Sequence, residues 1–403
     1  QGNSLEQDLA ARDFTINAMA FDINHPGELL DPLGGAADLY AKKLRTCKSD
    51  AFTSDPIRIL RGIRFSLNLD MRTEEDTKAN MRDAVGLLPL ISAERLRDEL
   101  FHLLDSTKPA AAIRILDHIH ALKYVLPEMG NLHGLAQSHP HTQDAWNHSV
   151  DAVAKLHRII DVLNPIYNLE GSASLFMGVI SHRLGRYREQ IEAHLQTRLN
   201  QSRSHKALIF LAALYHDVGK PATKEIDQDG HISYREHEEI GAELIAKRGR
   251  ELQLSNSEIR RLRIIVANHM RPLWLANTGK LPSRRAIYRF FGDTGPAGID
   301  ICLLSLADTL ATYGPTLPQD KWIHQVEVIR TLLDGWWEDR EEVISPPTMI
   351  DGNDLINEMD LKPGPMIGEI LRSIQEAQAT GEVLNRRQAF ELAAKLIAQS
   401  KDD

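Results

Sequence analysis

Histidine and aspartate side chains recur through the middle of the chain in a pattern suited to binding a metal ion. They are His148, the adjacent pair His216 and Asp217, His237, His269 and Asp308. Adjacent His and Asp side chains can both point at one cation where a helix ends, and Gly219, two residues after Asp217, favours such an end. Imidazole and carboxylate together suit Mn²⁺, Ni²⁺, Fe²⁺ or Zn²⁺, and a water on such an ion is a nucleophile for phosphate esters.

A second group of chemistry-bearing residues lies in the segment SDPIRILRGIRF, residues 54–65. Asp55 followed by proline is a typical helix start, because Asp caps free backbone amides and a first-turn proline has no amide to leave unpaired. A carboxylate beside a guanidinium can also meet the edge of a nucleotide base, since one offers acceptors and the other a fork of donors. Asp55 therefore has two interpretations, a helix cap or a base-reading residue. Three arginines recur every three residues along one helix face: Arg58, Arg61 and Arg64.

The elements that would hold these residues are mostly helices. Apolar residues recur at helical spacing in four segments, residues 57–67, 96–104, 110–119 and 150–163. Residues 15–22 alternate as a strand does, residues 170–174 read as a loop, and residues 227–230 read as a tight turn. The sequence therefore predicts a mainly α fold with a short β segment near its start.

The composition is that of an ordinary globular protein. The chain has 403 residues, 42% of them hydrophobic and 26% charged, so it can bury a sizeable core in two or three domains. Its net charge of −9 leaves room for a local basic face, and residues 42–72 carry an excess of Lys and Arg. Two cysteines far apart in sequence indicate neither a disulfide framework nor a cysteine metal site, which favours the cytoplasm. No apolar run is long enough to span a membrane.

The segments RDFTINAMAFD (residues 12–22) and DPLGGAADL (residues 31–39) resemble the middle of the nucleotidyltransferase head of class II tRNA CCA-adding enzymes and bacterial poly(A) polymerases. The resemblance implies that Arg12 and Asp13 hold the triphosphate and ribose of a nucleotide. It also implies that Asp55 and Arg58 read the base of CTP or ATP, with Arg61 beside them. Ala11 stands where a second Arg is common, and Ser54 stands where Glu is usual.

The neck of this family is matched by SAERLRDEL, residues 92–100, in which Glu94 and Arg95 are expected to support the template helix. The family's GGxVRD and DxD elements precede RDFTINA, and neither occurs upstream of Arg12. Since the DxD pair holds the Mg²⁺ ions of the transferase, we expect the chain as given to lack transfer activity.

Five further segments, DAWNHSV, YHDVGKP, REHEEIG, VANHMRP and SLADTLA, follow the order of the HD phosphohydrolase superfamily. By that resemblance, four residues form one metal shell: His148, His216, Asp217 and Asp308. His237 and His269 are then available for a second ion or for a substrate phosphate.

The resemblance spans nearly the whole chain and implies four parts. They are the end of a nucleotidyltransferase head (1–46), a nucleotide-selecting and RNA-binding neck (47–126), an HD domain (127–314) and a helical tRNA-binding tail (315–403). The expected function is transfer of nucleotides from CTP and ATP to tRNA or other RNA 3′ ends, as CCA, CC, A or poly(A). Two alternatives remain open: a stand-alone HD phosphohydrolase acting on RNA cyclic phosphates or small phosphoesters, and a non-catalytic RNA-binding remnant.

Overall fold

The computed structural model describes residues 4–166, 174–200 and 203–399, so most of the loop expected at residues 170–174 lies outside the described residues. The predicted mainly α fold is confirmed, and no described helix is long and apolar enough to cross a membrane. The first part of the chain contains α1 (Leu5–Ala10), β1 (Ala20–Asp22), β2 (His25–Leu30), α2 (Gly35–Tyr40), β3 (Lys43–Leu44), α3 (Ala51–Ser54), α4 (Arg58–Asn68), β4 (Arg72–Thr73), α5 (Glu75–Ala84), α6 (Ala93–Leu104), α7 (Pro109–His118), α8 (Leu122–Val125) and α9 (Ala145–Val162).

The remaining elements are again mostly helices. They are α10 (Leu175–Leu184), α11 (Arg188–Gln196), α12 (His205–Tyr215), β5 (Lys224–Ile226), β6 (Ile232–Tyr234), α13 (His237–Glu251), α14 (Asn256–Asn268), α15 (Arg271–Asn277), α16 (Arg284–Thr294), α17 (Ala297–Tyr313), α18 (Gln319–Trp337), α19 (Gly352–Met359), α20 (Pro365–Ala379) and α21 (Arg386–Gln399). The strands form three separate pairs: β1 with β2 and β5 with β6 are antiparallel, and β3 with β4 is parallel.

The chain divides into two compact units. The first contains residues 1–171, 187–267 and 307–316, and the second contains residues 172–186, 268–306 and 317–403. The residues that build both candidate sites described below belong to the first unit, and His269, which was also predicted to bind a metal, belongs to the second.

The strand predicted for residues 15–22 is only partly correct. Residues Thr15–Asn17 form a 3₁₀ turn, and β1 begins at Ala20. The Thr15 hydroxyl donates to Asp38 Oδ2 at 2.7 Å, and the Thr15 amide donates to the Arg45 carbonyl at 3.0 Å. These buried tertiary bonds fix a turn where the alternation of side chains alone favours a strand.

The turn is packed against the DPLGG segment. A Cβ atom on Gly35 would lie 2.0 Å from the Thr15 carbonyl oxygen, so only glycine permits this approach. Asp31 accepts hydrogen bonds from the amides of Gly35 and Ala36, at 2.6 and 2.9 Å, and thereby caps α2. These contacts hold the head segment together as a compact layer. Arg12 and Asp13 lie just before the Thr15–Asn17 turn in the chain.

Helices occupy the four predicted windows, with ends shifted by a few residues: α4, α6 and α7 in the neck, and α9 after it. Helix α4 buries Ile59, Leu60 and Ile63 and turns its arginines to the other side. It packs on α6 and α7, while α9 packs on α7 and α12. The core of the first unit therefore continues from the head through the neck to the helices that carry the histidines.

The turn after α12 differs from the prediction that Gly219 ends the helix. Helix α12 ends at Tyr215, and Gly219 has a φ of −78°, which any residue can adopt. Glycine is required here by close approach, because a Cβ atom would lie 2.0 Å from the His237 carbonyl oxygen and 2.8 Å from the Gly241 nitrogen. Farther along, the tight turn at residues 227–230 is confirmed: it joins β5 to β6, and Gly230 has a φ of +81°.

The second unit ends in its own small core. Helices α19, α20 and α21 bury an apolar stripe of the tail that includes Ile370 and Ile374, with Ile367 and Leu371 packed against it. Arg285 of α16 forms ion pairs with Glu376 and Glu382 at 3.0 and 2.9 Å. The tail is therefore folded as a packed layer within this unit.

Candidate functional sites

The first candidate site is a cleft between the head segment and the neck helices. A cavity of about 660 Å³ is lined by all five residues predicted to bind a nucleotide. These are Arg12, Asp13, Asp55, Arg58 and Arg61. They come from two stretches more than forty residues apart, so the fold brings together what the two motifs only imply.

Asp13 lies at the floor of the cleft and is held by several donors. Its carboxylate accepts from the Asn17 side chain at 3.1 Å and from Arg61 Nε at 2.8 Å, as well as from the Phe14 amide at 2.9 Å. Burial alone would raise the pKa of this carboxyl, but the donors from Asn17 and Arg61 outweigh it and hold the pKa below its usual range. Asp13 is therefore an ionised acceptor fixed in one position.

A carboxylate that the sequence interpretation missed braces the arginine stripe. Glu99 of α6 accepts from Arg64 Nε and Nη2 at 3.0 and 3.2 Å, and it lies 3.6 Å from Arg61 Nη1. The expected support residue Glu94 is exposed instead. Both acids belong to one helix, and only their placement against α4 distinguishes them.

Asp55 does not cap α4. The helix begins at Arg58 with no side-chain cap, and both Asp55 carboxylate oxygens accept from Arg95 Nη2, at 3.0 and 2.8 Å. The cap interpretation of Asp55 therefore has no support in the structure. Arg95, predicted as a supporting residue, orients this carboxylate at the wall of the cleft.

Arg58 and Arg12 complete the polar lining. Arg58 donates to the backbone carbonyls of Ala11 and Arg12, at 2.9 and 3.4 Å, and so ties the neck to the head. The Arg12 side chain is half exposed and donates to the Asn17 carbonyl at 3.2 Å. Guanidinium groups and oriented carboxylates lie side by side in this cleft, which suits a ligand that has both an anionic part and a polar edge.

The second candidate site is a buried cluster of histidines and aspartates. His148 of α9, His216 and Asp217 after α12, His237 at the start of α13 and Asp308 of α17 belong to the first unit. His148 Nε2 lies 3.0 Å from Asp308 Oδ1, 3.2 Å from His216 Nε2 and 3.4 Å from Asp217 Oδ2. The four residues predicted to form one metal shell are therefore brought together.

Backbone carbonyls orient the imidazole rings. His216 Nδ1 donates to the Ala213 carbonyl at 2.7 Å, and His237 Nδ1 donates to the Tyr234 carbonyl at 2.8 Å. Each ring therefore directs Nε2 toward Asp217, at 3.3 Å in both cases. This arrangement is typical of metal-binding histidines, whose second ring nitrogen is fixed by a backbone or carboxylate acceptor.

The cluster fits a divalent metal ion. Bonds of about 2.1 Å at tetrahedral or octahedral angles place ligand atoms about 3.0–3.4 Å apart. The distances among His148 Nε2, His216 Nε2, Asp217 Oδ2 and Asp308 Oδ1 that the structure gives range from 3.0 to 3.7 Å. Burial alone would raise the pKa of Asp308, but the hydrogen bond with His148 and the nearby charge of His216 hold it well below its usual range. Both nitrogen and ionised oxygen donors are thus available.

His269 lies in the second unit, directly after α14, and is buried. Its participation in the metal site stays a prediction.

Residues around the cluster that the sequence interpretation missed are Lys220, Gln137 and His141. Lys220 Nζ donates to Asp217 Oδ2 and to Gln137 Oε1, both at 2.6 Å. Burial and the charge of Lys220 lower the pKa of His141 to about 4, so this ring is neutral at pH 7. Lys220 stands inside the quoted YHDVGKP segment and could have been found there, whereas Gln137 and His141 belong to a polar run with no periodic signal.

Family models match four segments of the chain. Residues 1–45 match the poly A polymerase head domain, and residues 70–132 match a model described as "Probable RNA and SrmB-binding site of polymerase A". Residues 173–313 match the HD domain, and residues 343–394 match tRNA nucleotidyltransferase domain 2.

Solved structures of CCA-adding enzymes share the fold. A complex of one with CTP has a TM-score of 0.58 at 19% identity, over 98% of this chain and 72% of the other. The Thermotoga maritima CCA-adding enzyme complexed with tRNA has a TM-score of 0.54 at 20% identity, over 98% and 74%. The fold is thus that of a CCA-adding enzyme.

Sequence relatives identify the family. An A-adding tRNA nucleotidyltransferase from Deinococcus radiodurans is 31% identical over 94% of this chain and 76% of the relative. A CC-adding tRNA nucleotidyltransferase from Geobacter sulfurreducens is 29% identical over 98% and 75%. The chain belongs to the tRNA nucleotidyltransferase family.

Proposed function

We propose that the protein transfers nucleotides from CTP or ATP to the 3′ end of tRNA, in the cytoplasm. The observation that carries this proposal is the convergence of the five predicted nucleotide-binding residues on one cleft of the first unit. Family membership and the names of the relatives support it.

Each residue of the cleft has a proposed role. Asp55 and Arg58 present acceptors and donors to the base edge, and Arg95 fixes the Asp55 carboxylate for that task. Arg12, whose side chain is half exposed, contacts the triphosphate. Asp13 accepts from the ribose, using lone pairs left by its protein donors, and Arg61 holds its orientation. Mg²⁺ ions, held in this family by carboxylates that precede the RDFTINA segment, supply charge stabilisation when bound.

The relatives differ in the nucleotides that they add, since some are A-adding, others CC-adding and others multifunctional CCA proteins. The experiment therefore has two parts, one that measures nucleotide binding and one that measures which nucleotides are added. Equilibrium dialysis of the 403-residue chain should show binding of CTP, ATP or both in preference to GTP. Protein carrying a complete head is then given tRNA ending before C74, before C75 or before A76, with CTP or ATP. Absence of both nucleotide binding and incorporation would overturn the proposal.

The buried cluster supports a second activity on the same chain. We propose that His148, His216, Asp217 and Asp308 hold Mn²⁺, Ni²⁺, Fe²⁺ or Zn²⁺, and that the HD domain hydrolyses a phosphoester. The mixed nitrogen and oxygen donor set supports an ion of this group rather than Ca²⁺. Lys220, held beside Asp217, can orient a substrate phosphate or stabilise the charged carboxylate. Opening of RNA 2′,3′-cyclic phosphate ends to a 2′- or 3′-phosphomonoester, or hydrolysis of a small phosphodiester to a phosphomonoester and an alcohol, measured with each metal in turn, tests this activity.

A further inference from the structure

One segment that touches the buried cluster belongs to no helix or strand. Residues 133–144 run from the 3₁₀ turn after α8 to the start of α9, and several of their side chains are exposed. The two ends of the segment are joined, because the Ala145 amide donates to the Leu135 carbonyl at 3.0 Å and the Gly134 amide donates to Asp144 Oδ2 at 2.8 Å. The segment is therefore an Ω-loop, which can open while the elements on either side stay folded.

The loop reaches the cluster through Gln137. Its side-chain oxygen Oε1 accepts from Lys220 Nζ at 2.6 Å, and the same ammonium donates to Asp217 Oδ2 at 2.6 Å. Gln137 Nε2 donates to the Gln143 carbonyl at 3.3 Å, so the loop itself holds the amide in this orientation. Lys220 is only 6% exposed. A buried ammonium needs acceptors, so another oxygen must take this place whenever Gln137 leaves it.

Two further contacts anchor the loop. The Tyr234 hydroxyl donates to the Ala136 carbonyl, and the Tyr234 ring lies beside Lys220, whose Nζ is 5.6 Å from the ring centre. The His141 ring packs edge-on against the ring of His148, and the two ring centres are 4.9 Å apart. The loop is therefore attached to the cluster both at Lys220 and at His148.

The residues of the cluster lie deep in the first unit. None of them is more than 8% exposed: His148, His216, Asp217, His237 and Asp308. They lie on helices or directly after them, and these helices are packed in the core. Moving a packed helix costs more free energy than opening a loop that is held by a few side-chain bonds. The route of lowest cost for a phosphoester to reach the cluster is therefore under residues 136–143.

We infer that residues 136–143 are a lid over the buried cluster and that Gln137 Oε1 occupies the place at Lys220 that a phosphate oxygen of the substrate takes; the inference rests on the proposed phosphoester hydrolysis. The amide oxygen is a neutral acceptor, whereas a phosphate oxygen is charged. A hydrogen bond to a charged acceptor is about twice as strong, so a phosphoester can displace Gln137. In the absence of substrate, Gln137 keeps Lys220 paired and the lid closed.

The experiment compares Gln137→Ala and Gln137→Glu in the Mn²⁺-loaded 403-residue chain. Gln137→Ala removes the competing oxygen, so the KM for a small phosphodiester should fall about 5-fold. Gln137→Glu places a carboxylate opposite Lys220, so the KM should rise about 5-fold. Hydrogen exchange of the amides of residues 136–143, measured without substrate, should become about 10-fold faster in Gln137→Ala and slower in Gln137→Glu. A purely structural role of Gln137 would not produce opposite changes in the two variants.

Tyr234→Phe opens the loop by a different route. It keeps the ring beside Lys220 but removes the hydroxyl that holds the Ala136 carbonyl, so exchange in residues 136–143 should become faster. Gln143→Ala is the matched control, because Gln143 lies in the same loop, is exposed and contributes its backbone carbonyl to the contact with Gln137. Its KM and exchange rates should stay within about 2-fold of those of the unaltered chain.

A KM that rises or stays unchanged in Gln137→Ala would show that Gln137 does not compete with the substrate, and it would overturn the inference. Equal exchange rates in Gln137→Ala, Gln137→Glu and the unaltered chain would also overturn it. Absence of hydrolysis by the unaltered chain with every metal would instead overturn the proposed activity. Exchange needs no turnover, so inorganic phosphate added to the Mn²⁺-loaded chain then decides the lid alone. Faster exchange in residues 136–143 supports the lid, and unchanged or slower exchange overturns it.

Discussion

The nucleotide cleft and the buried metal cluster hold their charged side chains in position in opposite ways. In the cleft, long and partly exposed arginines are fixed by pairing with Asp13, Asp55 and Glu99 and with backbone carbonyls. In the cluster, short and buried side chains are fixed by the helices that carry them, and their ring nitrogens by backbone carbonyls. The first arrangement leaves open surface suited to a large ligand, whereas the second brings buried donor atoms to distances suited to an ion.

The two sites should therefore respond differently to mutation. Ion pairs in water contribute little individually, so changes in the cleft should alter recognition more than stability. A buried charged group destabilises the fold when it loses its partner. Changes in the cluster should therefore alter both the metal content and the free energy of unfolding.

The largest effect should come from Asp217→Ala in the metal cluster. Asp217 is the residue whose oxygens face His148, His216 and His237, so its loss opens the ligand shell. Metal bound after reconstitution should fall from about one ion per chain by at least about 10-fold, and phosphoester hydrolysis should fall with it.

Asp229→Ala is the control for this variant. Asp229 belongs to an exposed group with Asp227 and His231 on the β5–β6 hairpin. Metal content measured by inductively coupled plasma mass spectrometry should be unchanged in this control. Full metal content in Asp217→Ala would show that the buried cluster is a structural hydrogen-bond network.

The next effect should come from Gly219→Ala, which alters no donor atom. Its new Cβ would lie 2.0 Å from the His237 carbonyl oxygen, so α13 must move away from the turn that carries Asp217. We expect a loss of about 1–3 kcal/mol in the free energy of unfolding, together with weaker metal binding.

Gly178→Ala serves for comparison, because its Cβ would meet nothing within 4 Å and it lies within α10. This change should be neutral or stabilising by up to about 1 kcal/mol. Urea denaturation of both variants measures the difference. If Gly219→Ala unfolds like the unaltered chain, the close approach of α13 is not what positions Asp217.

In the cleft, Asp55→Asn should alter nucleotide choice while leaving stability almost unchanged. The substitution replaces one acceptor oxygen by a donor, so the ratio of dissociation constants for CTP and ATP should shift by about 10-fold. Arg58→Ala should shift the same ratio. Thermal melting should change little in Asp55→Asn, because the Arg95 pair that it weakens is partly exposed.

Asp50→Asn is the control, since Asp50 precedes α3 and does not line the cavity. An unchanged CTP to ATP ratio in both Asp55→Asn and Arg58→Ala would remove these residues from base reading.

The smallest effect concerns the dependence of stability on pH. The pKa of Asp13 is lower in the folded chain than in the unfolded chain, so its charge stabilises the fold above the unfolded pKa of about 3.9. This contribution is lost as pH falls through the folded pKa. Asp13→Asn should therefore cost about 1 kcal/mol at pH 7, and the cost should shrink below about pH 4.

Asp22→Asn is the matched control for this pH effect. Asp22 is exposed, and its pKa is lowered by a hydrogen bond with His25 that water screens. Urea denaturation at a series of pH values compares the two variants. A cost of Asp13→Asn that does not vary with pH would show that packing of the carboxyl, rather than its charge, is responsible.

Much of the helical framework was predictable because its residues obey local rules. The four apolar windows and the 227–230 turn depend on periodicity and on the conformations allowed to Gly and Asp, which are properties of short segments. Residues 15–22 were predicted incompletely because Thr15 bonds to Asp38 and Arg45, which lie 23 and 30 residues away.

The candidate sites divide in the same way. The order of the motifs was enough to identify residues of both sites. The structure then places five of these residues in the cleft and five in one buried cluster of the first unit. The sequence pattern could not identify Glu99, because its partner Arg64 lies 35 residues away. Nor could it identify Gln137, which contacts Lys220 from 83 residues away.

The sequence by itself determined which residue types are present for chemistry, the helices that carry them and the family to which they point. Only the tertiary structure decided that Asp55 pairs with Arg95 instead of capping α4, and that Gly219 is needed for contact with α13 instead of ending α12. The physical reason is that hydrogen bonds, close contacts and charge compensation depend on distances in space, which residues far apart in the chain acquire only when the core has packed.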